Sequence, residues 1–273
     1  VTYIVLAALL WGLGGALAGR FMQSIPPEVL IPLRFGLAFL LLLPVVVRRP
    51  PERGEYLRLF GVGLALAGAQ AFYYLAIDAT TVATGIFLQY LAPVLLTLYA
   101  LLRRERLAPR SLAGVALAVA GAYLLVLGPG GWVGRPVGVA YGLLAAFSFA
   151  FYAAISQRLG TPAFTSLGVA TGVGALLSLP VLWAQRAQVL ALDAGAALAV
   201  GYLVIFGTVL PFGLFLLGVR RVPARIATLV ALIEPFAGAL FAVFLVGQPL
   251  TPGVLLGGAL IALGVVLNRG ARA

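Results

Sequence analysis

The chain has 273 residues, of which 63% are hydrophobic and only 9% charged. A water-soluble surface on a protein of this size needs far more charge, so the composition points to an integral membrane protein. The formal charge of +11 comes wholly from arginine, and the absence of cysteine and histidine excludes disulfides, thiol nucleophiles, Cys/His zinc sites and haem ligation through either residue.

Apolar runs recur along the chain, each near the ~20 residues that span a hydrocarbon core as a helix. They lack the period-two polarity of a membrane β-barrel. Breaks at Pro, Gly and Arg clusters predict an all-α integral membrane protein of ten transmembrane helices, at 2–19, 28–47, 58–77, 82–102, 111–127, 137–156, 163–184, 196–217, 225–246 and 251–268. The first, "TYIVLAALLWGLGGALAG", has no basic segment before it and no separate cleavage site, so it reads as a span rather than a signal peptide. It carries Trp11, and the second helix carries Arg34 about six residues from its start. Arg34 has two readings: it snorkels to the interface, or it meets a substrate carboxylate or Glu234.

Further along, Gln70 and Tyr74 lie four apart on one face of the third helix, with Tyr73 beside them. Gln89 and Tyr90 precede Pro93 in the fourth, Tyr152 falls in the sixth, and Thr208 and Phe212 flank Pro211 in the eighth. Such aromatic, amide and hydroxyl groups suit the wall of an amphipathic cavity; near span ends, Tyr and Trp instead anchor helices at the interface. Glycines of helices 5 and 10, including Gly114, Gly121, Gly257 and Gly264, suit close helix packing. The "GPGG" at 128–131 is a connector and not a phosphate loop, because no Lys-Ser/Thr follows it.

The ninth helix holds "ALIEPFAG", residues 231–238, where an acid and a proline stand together in an apolar run. A charge within a span costs roughly 2.5–3.5 kcal/mol on insertion scales, and a proline inside a soluble helix about 3 kcal/mol. Of the seven acids, only Glu234 sits well inside a span, about eight residues or roughly 12 Å deep. It is a candidate proton carrier or counter-ion for a substrate amine, or a structural partner for freed backbone or Arg34. Pro93 and Pro235 each predict a helix kink.

With the N-terminus cytoplasmic, fourteen arginines lie on the inside: 48, 49, 53, 58, 103, 104, 106, 110, 158, 220, 221, 225, 269 and 272. Only Arg20, Arg135 and Arg186 fall outside, so both termini are expected in the cytoplasm. That pattern also explains the positive charge without a nucleic-acid partner.

The second half echoes the first. "YLAIDATTVATGIFLQYLAPV" (74–94) aligns with "LLGVRRVPARIATLVALIEPF" (216–236), so that Pro93 meets Pro235. The expected organisation is a repeat over 1–128, a connector over 129–136 and a second repeat over 137–273. Five helices per unit, an odd number, make the two copies inverted in topology, and inverted repeats hold a binding site between them near the midplane.

On these features the chain resembles the drug/metabolite transporter superfamily, in its ten-helix branch with two EamA-type repeats. The resemblance rests on "LLWG", "LAPVLLTLYALLRRERLAP" and "IEPFAGALFAVFLVGQPLTPGVLLGGALIALGVVL". The chain departs by carrying Gly247-Gln248 where Gly-Glu is usual, and Arg104-Glu105 in the first repeat, which is one residue shorter there. An arginine at the place of Arg34 is common in the family. The resemblance implies a secondary transporter of the cell (inner) membrane that moves amino acids or similar amphipathic solutes, outward, by alternating access. Export of drugs or other metabolites, exchange of sugar phosphates, and a channel-like or structural role are the rival functions. Proton coupling through Glu234 and an uncoupled mode are both open. The expected partners are a small-molecule substrate, protons and the lipid bilayer, in a monomer or weak homo-oligomer. No cofactor or metal is expected, and an enzyme is disfavoured because one intramembrane acid does not make a catalytic constellation.

Overall fold

The computed structural model describes residues 1–21, 25–126, 135–247 and 251–268. Most of the expected connector 129–136, Gln248 and the tail arginines 269 and 272 lie outside the described residues. Among the described residues there is no strand. The helices are α1 (Thr2–Phe21), α2 (Pro27–Arg48), α3 (Tyr56–Ala79), α4 (Val82–Gln89), α5 (Ala92–Leu102), α6 (Pro109–Val126) and α7 (Pro136–Ser156). They continue as α8 (Ala163–Ala184), α9 (Arg186–Leu190), α10 (Ala194–Val204), α11 (Leu210–Val219), α12 (Ala224–Ala231), α13 (Ile233–Val246) and α14 (Pro252–Leu267). A π-helical turn, Ile205–Val209, joins α10 to α11.

Seven helical stretches are long and apolar enough to cross a membrane, and three shorter apolar helices accompany them. Two of the seven are each built from two half-helices, α4 with α5 and α12 with α13. The sequence predicts continuous, kinked helices there. Instead the chain breaks at Tyr90-Leu91 and at Leu232, whose ψ angles lie near 0°. The prolines explain the breaks. Pro93 and Pro235 fall in the first turns of α5 and α13, where an N–H has no intrahelical acceptor anyway, so the missing donor costs little.

The two ends of the bundle differ in chemistry. At the arginine-poor end, side-chain oxygens cap the helices: Thr81 accepts from the Thr84 N–H, Asp193 from Ala196 and Thr251 from Val254. At the arginine-rich end, Arg225 pairs with Glu105 at 3.3 Å and Arg221 lies 4.8 Å over the Tyr3 ring. Between the ends, α3 packs along α7 and α8, α2 along α8, α1 along α11 and α13, and α6 along α14. The α6–α14 crossing is tight because its contact residues are small. A Cβ on Gly121 would stand 2.5 Å from the Gly257 carbonyl oxygen, so only glycine fits. Buried Asn268 closes this seam by donating to the Gly264 and Ser111 carbonyls at 3.0 and 3.3 Å, while the Ser111 hydroxyl donates to its Oδ1.

A polar clasp joins the α2–α3 loop to the α7–α8 loop at the arginine-rich end. The Glu52 N–H donates to Thr161 Oγ1 at 2.9 Å. The N–H groups of Gly160 and Thr161 donate to the two Glu55 carboxylate oxygens at 2.9 and 2.8 Å. Burial alone would raise the Glu55 pKa. The Gly160 N–H, the Thr161 hydroxyl and N–H, and nearby Arg58 outweigh that effect and hold the carboxyl below its ordinary 4.5. A depressed carboxyl stabilises the fold fully above about pH 4.5, and that contribution is lost as the pH falls through the lower folded value. Glu55→Gln is therefore expected to lower stability at pH 7 by roughly 2 kcal/mol. Thermal unfolding in detergent should show the gap between wild type and variant narrowing below pH 4.5.

Candidate functional site

A cavity of about 550 Å³ lies within the bundle, a size suited to a small organic molecule. Its wall runs from Ile25, Pro27, Ile77 and Ile86 at the arginine-poor end inward to Ala231 and Thr228. Towards the arginine-rich end the interior is closed by Tyr152, Phe215, Leu216, Val219 and Leu229, each at most 1% exposed.

The floor is aromatic. Trp11 meets Phe212 edge-on at 4.8 Å and Phe149 at 6.4 Å, and all three line the cavity. Beneath them lie Tyr152 and Phe215, each within about 6 Å of Phe149 and of the other. The side wall is amphipathic: Tyr73 packs edge-on against Tyr74 at 5.2 Å, and the Gln89 amide donates to the Ala69 carbonyl at 3.4 Å.

Arg34 is the positive pole, and the π-helical turn holds it. Its Nε and Nη2 donate to Thr208 Oγ1 at 3.1 and 3.0 Å, Nη2 also to the Gly207 carbonyl at 3.3 Å, and Nη1 to Gln70 Oε1 at 3.4 Å. The Gly207 carbonyl is free for this because Pro211, four residues on, has no N–H to offer it. Thr208 in turn donates its own hydroxyl to the Leu203 carbonyl at 3.1 Å, which fixes its lone pairs towards Arg34. One Nη1 N–H of Arg34 has no acceptor among the described residues and faces the cavity that Arg34 lines.

Glu234 is the acidic pole. It lies in the first turn of α13, where the helix dipole favours a carboxylate, and it faces the Tyr90 hydroxyl. Close approach of α1 sets its position: a Cβ on Gly12 would stand 2.8 Å from the Glu234 carbonyl oxygen. Among the described residues, the ion pairs are Arg135–Asp78 and Arg225–Glu105, so Glu234 and Arg34 are not in direct contact. Tyr73 lines the same cavity as both poles.

Of the residues singled out from sequence, Trp11, Arg34, Gln70, Tyr73 and Tyr74 line this one cavity, as do Gln89, Tyr90, Pro93, Phe212 and Glu234. Thr208 lies behind Arg34, 2% exposed, and touches the space only through it. Tyr152 lies under the floor and Pro235 outside the lining. Sequence reasoning overlooked Gly207, Phe149 and Thr228. A glycine four residues before a proline was the available signal for Gly207.

Replacing the Thr208 hydroxyl leaves two Arg34 donors without their acceptor. Thr208→Val, close in shape, is expected to destabilise the protein by about 1–3 kcal/mol. Thr208→Ser should recover most of the loss, and thermal unfolding in detergent of the three proteins checks both.

Comparison with known proteins places the chain in a family. The EamA-like transporter family matches residues 1–127 and 136–270. The chain is 32% identical to a probable amino-acid metabolite efflux pump of Salmonella typhimurium, over 97% of this chain and 92% of that protein. It is 29% identical to the threonine/homoserine exporter RhtA of Escherichia coli, over 91% of this chain and 84% of that protein. A solved crystal structure shares the fold with a TM-score of 0.78 at 23% identity, covering 97% of this chain and 95% of that one. The all-helical bundle, its membrane-length apolar helices and the matches over both halves identify the chain as a member of the EamA-like transporter family, within the drug/metabolite transporter superfamily.

Proposed function

We propose that the protein exports small amino acids or similar zwitterionic metabolites across the cell (inner) membrane. The observation that carries this is the pairing of Arg34 and Glu234 in one cavity without contact between them. A free amino acid presents a carboxylate and an ammonium on one carbon, and two separated opposite charges receive it end to end. The Nη1 N–H left over on Arg34 takes the carboxylate, Glu234 the ammonium, and the aromatic floor of Trp11, Phe149 and Phe212 the side chain. The two relatives named for amino-acid export support the same class. A sugar phosphate, with its dianionic group and no cation, fits poorly beside Glu234.

The transport cycle is alternating access between two inverted five-helix repeats, residues 1–128 and 137–273, joined by 129–136, with ten spans in all. Support comes from the paired helix breaks, each directly before a proline-bearing first turn, and from helices of the two halves packing on each other. The arginine-rich end is cytoplasmic by the positive-inside rule, so both termini are cytoplasmic and the described state is open outward. In this state a proton arriving from outside can neutralise Glu234 and displace the ammonium, which couples outward solute movement to inward proton movement. Tyr73, Tyr90 and Arg34 are the titratable or charged groups around that carboxylate.

Proteoliposomes loaded with radiolabelled L-threonine and a trapped pH dye test this reading. Wild type should show saturable counterflow, Arg34→Gln should lose at least about tenfold in rate (~1.4 kcal/mol), and Glu234→Gln should abolish the dye signal. Solute flux with a silent dye in wild type would leave an uncoupled carrier. Flux that does not saturate and shows no exchange stimulation would make the protein a channel.

A further inference from the structure

We propose that Arg220, Tyr152 and Ser156 form a second, anion-binding subsite beneath the aromatic floor, which takes a substrate carboxylate when the arginine-rich end opens. The proposal deepens the transport reading and rests on it for the identity of the solute. Tyr152 and Ser156 stand one turn apart on one face of α7, and both are fully enclosed. Among the described residues neither hydroxyl has a hydrogen-bond partner, and neither does the buried Nε of Arg220. The three groups belong to one neighbourhood. Tyr152 stacks on Phe215 of α11, the helix that Arg220 ends, with ring centroids 6.0 Å apart, and the end of α7 is tied to the segment after Arg220 by Gln157, which donates to the Val222 carbonyl at 3.2 Å and accepts from the Ala224 N–H at 3.3 Å.

The guanidinium there is only partly matched. Its Nη2 donates to Ser166 Oγ at 3.0 Å, and no acid lies within ion-pair distance among the described residues. Glu55, a carboxylate held in the interior, is already committed to the Gly160 and Thr161 N–H groups. A site needed only for packing would carry phenylalanine and alanine here, because an enclosed hydroxyl without a partner destabilises the fold. Two idle hydroxyl donors and an idle guanidinium N–H lie in one neighbourhood with no acid paired to the guanidinium among the described residues. That set matches a carboxylate. It is empty of partners because, with this end closed, the group it binds is elsewhere in the cycle.

In an exporter this subsite is met first. A solute arriving from the arginine-rich side places its carboxylate on Arg220, then crosses the level of Phe215 to reach Arg34 and Glu234. The chain contains no cysteine, so a single introduced thiol reports on the site directly. Ser156→Cys is treated, from each side of the vesicle in turn, with methanethiosulfonate reagents that carry either a sulfonate or a trimethylammonium group. The expected result is reaction from the arginine-rich side only, with the anionic reagent favoured about tenfold over its intrinsic reactivity, as a one-signed cleft concentrates counter-ions. Arg220→Gln in the same background should remove the preference, and L-threonine should slow the reaction. Tyr152→Cys, read in the same way, covers the case in which Ser156→Cys disturbs packing.

Equal rates for the two reagents, or a preference that survives Arg220→Gln, would overturn the proposal. So would thiols at both positions that never react while Arg158→Cys, on the adjoining loop, does. The charge preference is measured without solute flux. It therefore stands or falls separately from the counterflow result that tests the transport reading.

Discussion

A backbone carbonyl that loses its helical donor inside a membrane has no water to turn to, and this constraint orders the whole interior. Three prolines stand where a helix opens at the cavity: Pro211 leaves the Gly207 carbonyl without its α-helical donor, and Pro93 and Pro235 sit in the first turns that follow the two breaks. The residues four positions earlier are Gln89, Gly207 and Ala231, and all three line the same cavity. Breaks in helices are tolerated where they face a polar space within the protein and not where they face lipid. The breaks and the cavity thus coincide. Pro44 and Pro180 stay within the continuous helices α2 and α8, whereas the prolines at the cavity accompany breaks or a widened turn, and the space acquires acceptors and bent helix ends that a regular bundle lacks.

Arg34 shows how the constraint becomes chemistry. Its charge needs acceptors in a region of low dielectric, and the Pro211-freed Gly207 carbonyl, with Thr208 and Gln70, supplies them. The widened π turn is what brings Gly207 and Thr208 to the same guanidinium. Glu234 obtains its support differently, from the first turn of α13 and from Tyr90. Arg34 is held by its own acceptors, and the two poles do not form an ion pair. A salt bridge between them would fill the site with itself.

Much of this was legible in the sequence. Composition alone gives the membrane class, and an acid beside a proline in an apolar run marks Glu234 as facing something other than lipid. Gln70 and Tyr74 were readable from spacing of four on a helix. What stayed hidden depends on contacts between distant segments. The glycine four residues before the proline in "IFGTVLPF" signals a freed carbonyl, but not that it will receive Arg34 from a helix more than 170 positions earlier. Tyr152 was readable as polar and deep. Its place below the floor is set by Phe149, Phe212 and Phe215, which come from two helices. The kinks were readable as prolines but not as full breaks, because the register of the second half-helix is decided by its neighbours, such as α1 crossing α13 at Gly12.

The two ends of the bundle carry the remaining asymmetry, and it bears on the proposed cycle. Closing a cavity end buries whatever faces it, so the closed end must be satisfied when buried and solvated when open. The Glu55 clasp meets both demands. Its carboxylate accepts two N–H groups when closed and is readily hydrated when released. The aromatic layer meets them in another way, since Tyr152 and Phe215 lose only dispersion contacts when parted, and each such contact is small. Clasp and layer therefore hold the end shut through many modest terms and no single strong one. An end built in this way can open with a small net change in free energy once a bound solute replaces the contacts that parting removes.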